Sequence, residues 1–229
     1  MHALRESVYQ ANMELHRRGV ALYTWGNASQ IDRARGIVAI KPSGVAYEVL
    51  TPDQIVLLSI EDGRAVEPGL RPSSDAPTHL ALYRAFDSIG GVVHTHSAYA
   101  TAWAQAGRAI PPLGTTHADY FRGEVPVTRF LTREEIECDY EYATGELIAD
   151  TFAGRNPLHT PGVLVRGHGP FTWGADAAEA VYHAVVLEEV ARMAHLTFAL
   201  APSTAELPGE ISDKHFSRKH GPQAYYGQK

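Results

Sequence analysis

Gly90-Gly91-Val92-Val93-His94-Thr95-His96-Ser97-Ala98-Tyr99-Ala100-Thr101-Ala102-Trp103-Ala104-Gln105-Ala106-Gly107 decides how this chain is read. Two glycines open a run of β-branched residues, which predicts a short buried strand ending at the histidine pair. An alanine-rich helix over 98–106 follows. Gly107 closes it, being the residue that takes a left-handed cap at least cost. A strand feeding directly into a helix is the repeating unit of an α/β fold, and the flanking sequence continues the alternation.

Upstream, Leu4, Val8, Ala11 and Leu15 fall at helical spacing, with Arg17, Arg18 and Gly19 as the helix end. Val20 to Tyr23, Ile37 to Ile40 and Ile55 to Ile60 predict strands. Thr51-Pro52 predicts a capped first turn and Asp62-Gly63 a tight turn. Ser73-Ser74-Asp75 precedes a helical stretch carrying Leu80, Tyr83 and Phe86. Downstream, Thr132-Arg133-Glu134-Glu135 and Asp176-Ala177-Ala178-Glu179 have the spacing of capping boxes, and the helix after the second is expected to run to about Leu200. Leu147, Ile148, Thr151 and Phe152 belong to a helix ended by Gly154, while Val163 to Val165 and Phe171 to Trp173 are strands around Arg166-Gly167-His168-Gly169. The tight turns imply antiparallel neighbours within a mixed sheet. The tail after Pro208 is polar, yet ends in Tyr225-Tyr226, which points to docking rather than a bland terminus.

Composition narrows the function. The chain has 229 residues, 45% hydrophobic and 20% charged, with a formal net charge of -6. That balance argues against bulk attraction to nucleic acid or anionic lipid, so an anionic substrate needs a local pocket of donors. Cys138 stands alone, which removes any intramolecular disulfide and favours a reducing compartment. No apolar run approaches the roughly 18 residues of a membrane span. Met1 to Gln10 lacks the apolar centre of a signal peptide, so the expected location is cytoplasmic.

His94 and His96 are two apart on the expected strand, which would set both imidazoles on one face at its end. With 12 histidines in the chain, chance alone gives roughly 0.6 His-x-His pairs, so the pair by itself decides little. Its place at the mouth of a buried strand, and His168 between two glycines after another strand, make the argument. Three neutral imidazoles are the minimal catalytic zinc set, with positions left open for substrate oxygens. Trp25-Gly26-Asn27, Lys41-Pro42-Ser43-Gly44 and Ser73-Ser74 are polar turns whose N–H groups and hydroxyls can wrap a phosphate. The last also precedes a helix N-terminus. Asp75 is compatible with a cap, a metal ligand or a base. Asp119 lies in the polar loop Gly114-Thr115-Thr116-His117-Ala118-Asp119-Tyr120.

Taken in order, these segments, with Gly167-His168-Gly169-Pro170-Phe171 and Ala224-Tyr225-Tyr226-Gly227-Gln228, resemble the class II aldolase and epimerase family over nearly the whole chain. The resemblance implies a single three-layer α/β/α domain over 1–229 around a central mixed, largely antiparallel sheet. Its C-terminal tail, about 208–229, would pack at a subunit interface. It implies a homotetramer with active sites between subunits, and Zn2+ on His94, His96 and His168 with Asp75 at or beside it; Mn2+ or Co2+ are substitutes. Gly26, Asn27, Ser43, Gly44, Ser73 and Ser74 would surround the phosphate and His215 would line the site. Asp119 and Tyr226 would move protons from the adjacent subunit. Aldolases of the family carry Ser-Ser-Glu where this chain has Ser73-Ser74-Asp75. The shorter carboxylate favours an epimerase of L-ribulose 5-phosphate and D-xylulose 5-phosphate over the alternative, a sugar-phosphate aldolase, and a place in arabinose or ascorbate breakdown.

The chemistry implied has a physical logic. The C4 hydrogen of a 2-ketopentose phosphate is not alpha to the carbonyl, so removing it leaves no resonance sink. Cleaving C3–C4 leaves the electron pair beside the carbonyl, as an enediolate that a Lewis acid can hold. Glycolaldehyde phosphate must then turn over and be re-added on its other face while remaining anchored.

Overall fold

A computed structural model describes residues 1–220 and 224–225. The elements are α1 His2–Arg17, β1 Asn27–Asp32, β2 Ile37–Ile40, β3 Val56–Ser59, α2 Ala76–Ala85, β4 Gly91–His94, α3 Ala98–Ala106, α4 Thr115–Ala118, α5 Arg133–Thr151, β5 Gly162–Val165, β6 Gly169–Gly174, α6 Ala177–Leu200 and α7 Gly209–His220. The strands form one sheet in the order β3-β2-β1-β4-β6-β5. Every ladder in it is antiparallel. The parallel component of the expected mixed sheet is confined to an isolated bridge between Val127 and Leu164.

The pleat sorts the core into two faces. Val92, Phe171, Trp173, Val38 and Ile40 pack against Leu80 and Tyr83 of α2 and Ile148 of α5. Val93 and Ala28 point the other way, onto Ala11 and Leu15 of α1 and Ala180 and Ala184 of α6. Helices on both faces give the three-layer α/β/α arrangement. His94 is two residues beyond Val92 in β4 and so shares the α2/α5 face, at the strand's last position.

Local signals explain most boundaries. Thr132 and Glu135 make a complete capping box at the start of α5. The box at α6 is half formed: Asp176 accepts the Glu179 N–H at 2.8 Å, whereas the Glu179 carboxylate accepts from Ala175 rather than from Asp176. Gly107 ends α3 with φ +63°.

Two expectations are corrected. Val20 to Tyr23 is not a strand. Gly19 and Tyr23 both have positive φ, +70° and +53°, and the Trp25 N–H donates back to the Leu22 carbonyl. The segment is a turn, and the strand begins at Asn27. The polar tail, for which no element was expected, holds the helix α7, anchored by buried Phe216. Among the described residues, no helix is long and apolar enough to cross a membrane.

Candidate metal centre and phosphate cavity

A cavity of about 670 Å³ opens where β1 begins and β4 ends. Its walls come from the turn Thr24–Asn27, the loop Lys41–Gly44, the approach to α2 at Ser73–Asp75, the histidines 94, 96 and 168, and Tyr140 and Glu141 of α5. The sheet register explains the convergence. Asn27 pairs with His94 across β1 and β4, and Phe171 pairs with His94 across β4 and β6. One histidine therefore sits between the Gly26 turn and the His168 loop.

The three histidines form a tight group. Among the described residues, His94, His96 and His168 bring one potential ligand atom each to within 4.8 Å of one another. The His94 ring stacks on Phe171 at 4.2 Å, and its Nδ1–H donates to the Pro170 carbonyl at 3.0 Å. That bond fixes the tautomer and leaves Nε2 with a free lone pair. His96 Nε2 lies 3.1 Å from it. Two ring nitrogens so close need a proton or a cation between them, and the edge of a tetrahedron of zinc–nitrogen bonds is about 3.3 Å. His168 Nδ1 is buried without a hydrogen-bond partner. Burial also holds the imidazoles neutral: His94 is pushed down to about 3, and His96 and His168 are shifted down from the same cause. A neutral, preassembled set of imidazoles fits a zinc-type divalent ion.

Close backbone approach makes this possible at two glycines. A Cβ at Gly26 would lie 2.9 Å from the His94 carbonyl oxygen, and one at Gly169 would lie 2.7 Å from that of Thr95. Gly26 also has φ +72°. Any larger residue at either position would push the histidine strand away from its neighbours.

Asp75 lines the same cavity but is not in the tight group. The Asn27 amide donates to its Oδ2 at 2.6 Å and to Ser73 Oγ at 3.0 Å. Burial opposes charge on Asp75, but attraction to His94 and His79 and the Asn27 bond reverse the balance and hold the carboxyl below its usual value. The loops are cross-tied: the Ser43 N–H donates to Arg71 and the Ser73 N–H to Lys41, at 3.0 Å each. Those amides are occupied, so the exposed Ser43, Gly44 and Ser74 are the groups turned outward at these loops.

Asp119 and His215 do not line this cavity. Asp119 caps the C-terminal end of α4. It accepts a fork from Arg218 at 2.9 and 2.7 Å and a bond from His215 Nδ1 at 3.0 Å. Burial raises the Asp119 carboxyl, yet the Arg218 and His215 hydrogen bonds together outweigh it and leave it lowered. Tyr226 lies outside the described residues.

Tyr140 and Glu141 escaped the sequence reading, while Trp25, Lys41 and Pro42 lie in turns it singled out for a phosphate without being chosen as site residues. Tyr140 and Glu141 reach the cavity because α5 breaks at Asp139, with φ -158° and ψ 87°. The Asp139 carboxylate accepts the Tyr142 N–H at 3.1 Å and so caps a second helical segment. The sequence Asp139-Tyr140-Glu141-Tyr142 has the first residue of such a cap, but helical periodicity on both sides conceals it. Lys41 is 1% exposed and donates to the Val45 carbonyl at 2.6 Å. Burial lowers it to about 8.

Comparison with known proteins places this geometry. The model of the Class II Aldolase and Adducin N-terminal domain matches residues 6–195. A relative from Salmonella paratyphi C (strain RKS4594), L-ribulose-5-phosphate 4-epimerase UlaF, is 57% identical over 229 residues, covering 100% of both chains. Among solved structures, an L-fuculose 1-phosphate aldolase superposes with a TM-score of 0.80 at 24% identity, over 94% of this chain and 95% of that one. YgbL from Klebsiella pneumoniae gives 0.72 at 26% identity, over 93% and 97%.

Proposed function

The chain belongs to the class II aldolase and adducin N-terminal domain family, and on that footing we propose that it is an isomerase interconverting L-ribulose 5-phosphate and D-xylulose 5-phosphate. The observation that carries the reading is one cavity holding both a convergent neutral histidine group and three polar loops suited to a phosphate.

His94, His96 and His168 would hold the divalent ion, zinc being the best match to imidazole donors, with Asp75 beside it. When bound, it supplies Lewis acidity toward the substrate's carbonyl and hydroxyl oxygens. Ser43, Gly44, Ser74, Gly26 and Asn27 hold the phosphate, with Ser73 orienting Asn27. A base takes the O4 proton as the C3–C4 bond breaks. The bonding pair remains on C3, conjugated with the carbonyl, and C4 becomes the aldehyde of glycolaldehyde phosphate. Anchored by its phosphate, the aldehyde turns; C3 attacks the opposite face and the new O4 takes a proton.

Two faces require two proton-handling groups. Asp119 and Tyr226 fill these roles from a neighbouring subunit, with His215 lining the same site. The support for this is negative within one protomer: Asp119 is ordered and buried, yet borders no part of the cavity. A homotetramer in which the tail region completes a neighbour's cavity meets the requirement, and its location would be the cytoplasm.

The test is incubation of zinc-loaded protein with L-ribulose 5-phosphate, reading D-xylulose 5-phosphate and free dihydroxyacetone with and without a chelator. The expected result is chelator-sensitive xylulose 5-phosphate with little dihydroxyacetone. Net release of dihydroxyacetone without the isomer would replace the epimerase by an aldolase.

A further inference from the structure

Tyr47 is fully buried, at 0% exposed, yet its hydroxyl is not idle. The oxygen lies 3.0 Å from the Trp25 carbonyl oxygen and 3.0 Å from that of Gly26, sharing its proton between them. Its ring lies 4.9 Å beneath the Lys41 ammonium. On α1, His16 stacks on that ring at 5.1 Å and 10°. One side chain thus touches two of the cavity's loops, Thr24–Asn27 and Lys41–Gly44, and ties both to a helix outside the site.

The consequence follows from peptide geometry. None of the described peptide bonds is cis, and in a trans peptide the C=O and the following N–H point in opposite directions. Holding the Trp25 carbonyl on Tyr47 therefore turns the Gly26 N–H to the other side of the chain, while the Asn27 N–H, opposite the Gly26 carbonyl, faces the paired His94 of β4. Gly26 lines the cavity. The strained turn that leads into it, with Tyr23 at φ +53°, needs such a tie to hold its orientation. Burial raises the Tyr47 hydroxyl well above its ordinary value, so it remains a neutral donor.

We infer that Tyr47 is a positioning residue for the substrate phosphate, setting the Gly26 amide and the Lys41 ammonium in one geometry. The inference rests on the phosphate-cavity reading above and adds the residue that aligns its loops. Nothing in the sequence marks it, because Tyr47 looks like an ordinary aromatic core residue.

The test is Tyr47→Phe, which keeps the ring, its stacking and its cation contact, and removes only the hydroxyl. Zinc content and thermal unfolding are measured beside the kinetics, and inorganic phosphate binding is measured by calorimetry on the zinc-loaded protein. The expected result is a KM for L-ribulose 5-phosphate raised about tenfold, with kcat within about twofold and zinc unchanged, as befits one lost aligning hydrogen bond. The phosphate Kd rises in parallel. A variant that melts earlier but keeps its KM and phosphate affinity would show a merely structural hydroxyl and overturn the inference, leaving the phosphate cavity standing. Wild-type protein that binds no phosphate would overturn both.

Discussion

The cavity at the end of β4 and the cluster around Asp119 use similar residues, histidines with a carboxylate, but they are built on opposite principles. The cavity is carried by the sheet. His94 is locked by its register with Asn27 and Phe171, by ring stacking and by a backbone bond. The Asp119 cluster is carried by a four-residue helix, α4, and by α7. It is held by an ion pair from Arg218 and a hydrogen bond from His215, with the stacked pair Phe216 and His220 behind. The first region is preassembled by nonpolar packing that every folded copy possesses. The second is a charge-assisted clasp between two helices, fixed by polar links rather than by sheet register.

That contrast can be broken most sharply at the metal. His96 is exposed just beyond the end of β4, so His96→Ala is expected to abolish turnover, by roughly 1,000-fold or more, while thermal unfolding of the metal-free protein barely moves. Zinc analysis, activity and melting of the same preparation decide it. Full turnover without metal would end the three-histidine reading.

A smaller, separable loss is expected in the other region. Asp119→Asn, or removal of residues 222–229 with Tyr226, should lower kcat by about 100-fold while zinc content stays at the wild-type level. If either change strips the metal, the two regions are not independent and the comparison fails. Mixing the Asp119→Asn protein with His96→Ala protein sharpens it: partial recovery of activity requires sites shared between subunits, and no recovery assigns both groups to one chain.

The mildest effect concerns pH. Lys41 is lowered to about 8 by burial. Its ammonium is charged below that value and neutral above it, so attraction for the phosphate weakens as pH rises through 8. KM should climb a few-fold between about pH 7 and 9, and Lys41→Met should flatten the climb while raising KM throughout. A flat wild-type profile would remove Lys41 from substrate binding.

Much of this was legible along the chain. His94, His96 and His168 stood out because each follows a β-branched run, so strand geometry placed them at ends where ligands emerge. Gly26, Ser43 and Ser73 belonged to turns whose chemistry is local. The strand expected at Val20 to Tyr23 was misplaced because apolar β-branched and aromatic residues occur there in a turn made by Gly19 and Gly26, while the polar segment Asn27-Ala28-Ser29-Gln30 hides a central strand. Ser29 is buried there by bonds to His79 and Tyr83, partners some fifty residues away in sequence.

The sequence by itself determined the alternation of strands and helices, the caps, the histidines and the acidic net charge that forbids a broad cationic field, because these depend on composition, on side-chain period and on residues within a few positions of each other. Only the tertiary structure decided that β1 lies at the centre, that Lys41 is buried beside Tyr47, that α5 breaks at Asp139 to bring Tyr140 into the cavity, and that Asp119 is clasped by α7 away from it. Those outcomes depend on which distant surfaces pack together, and a burial energy summed over long-range contacts leaves no local mark in the order of residues.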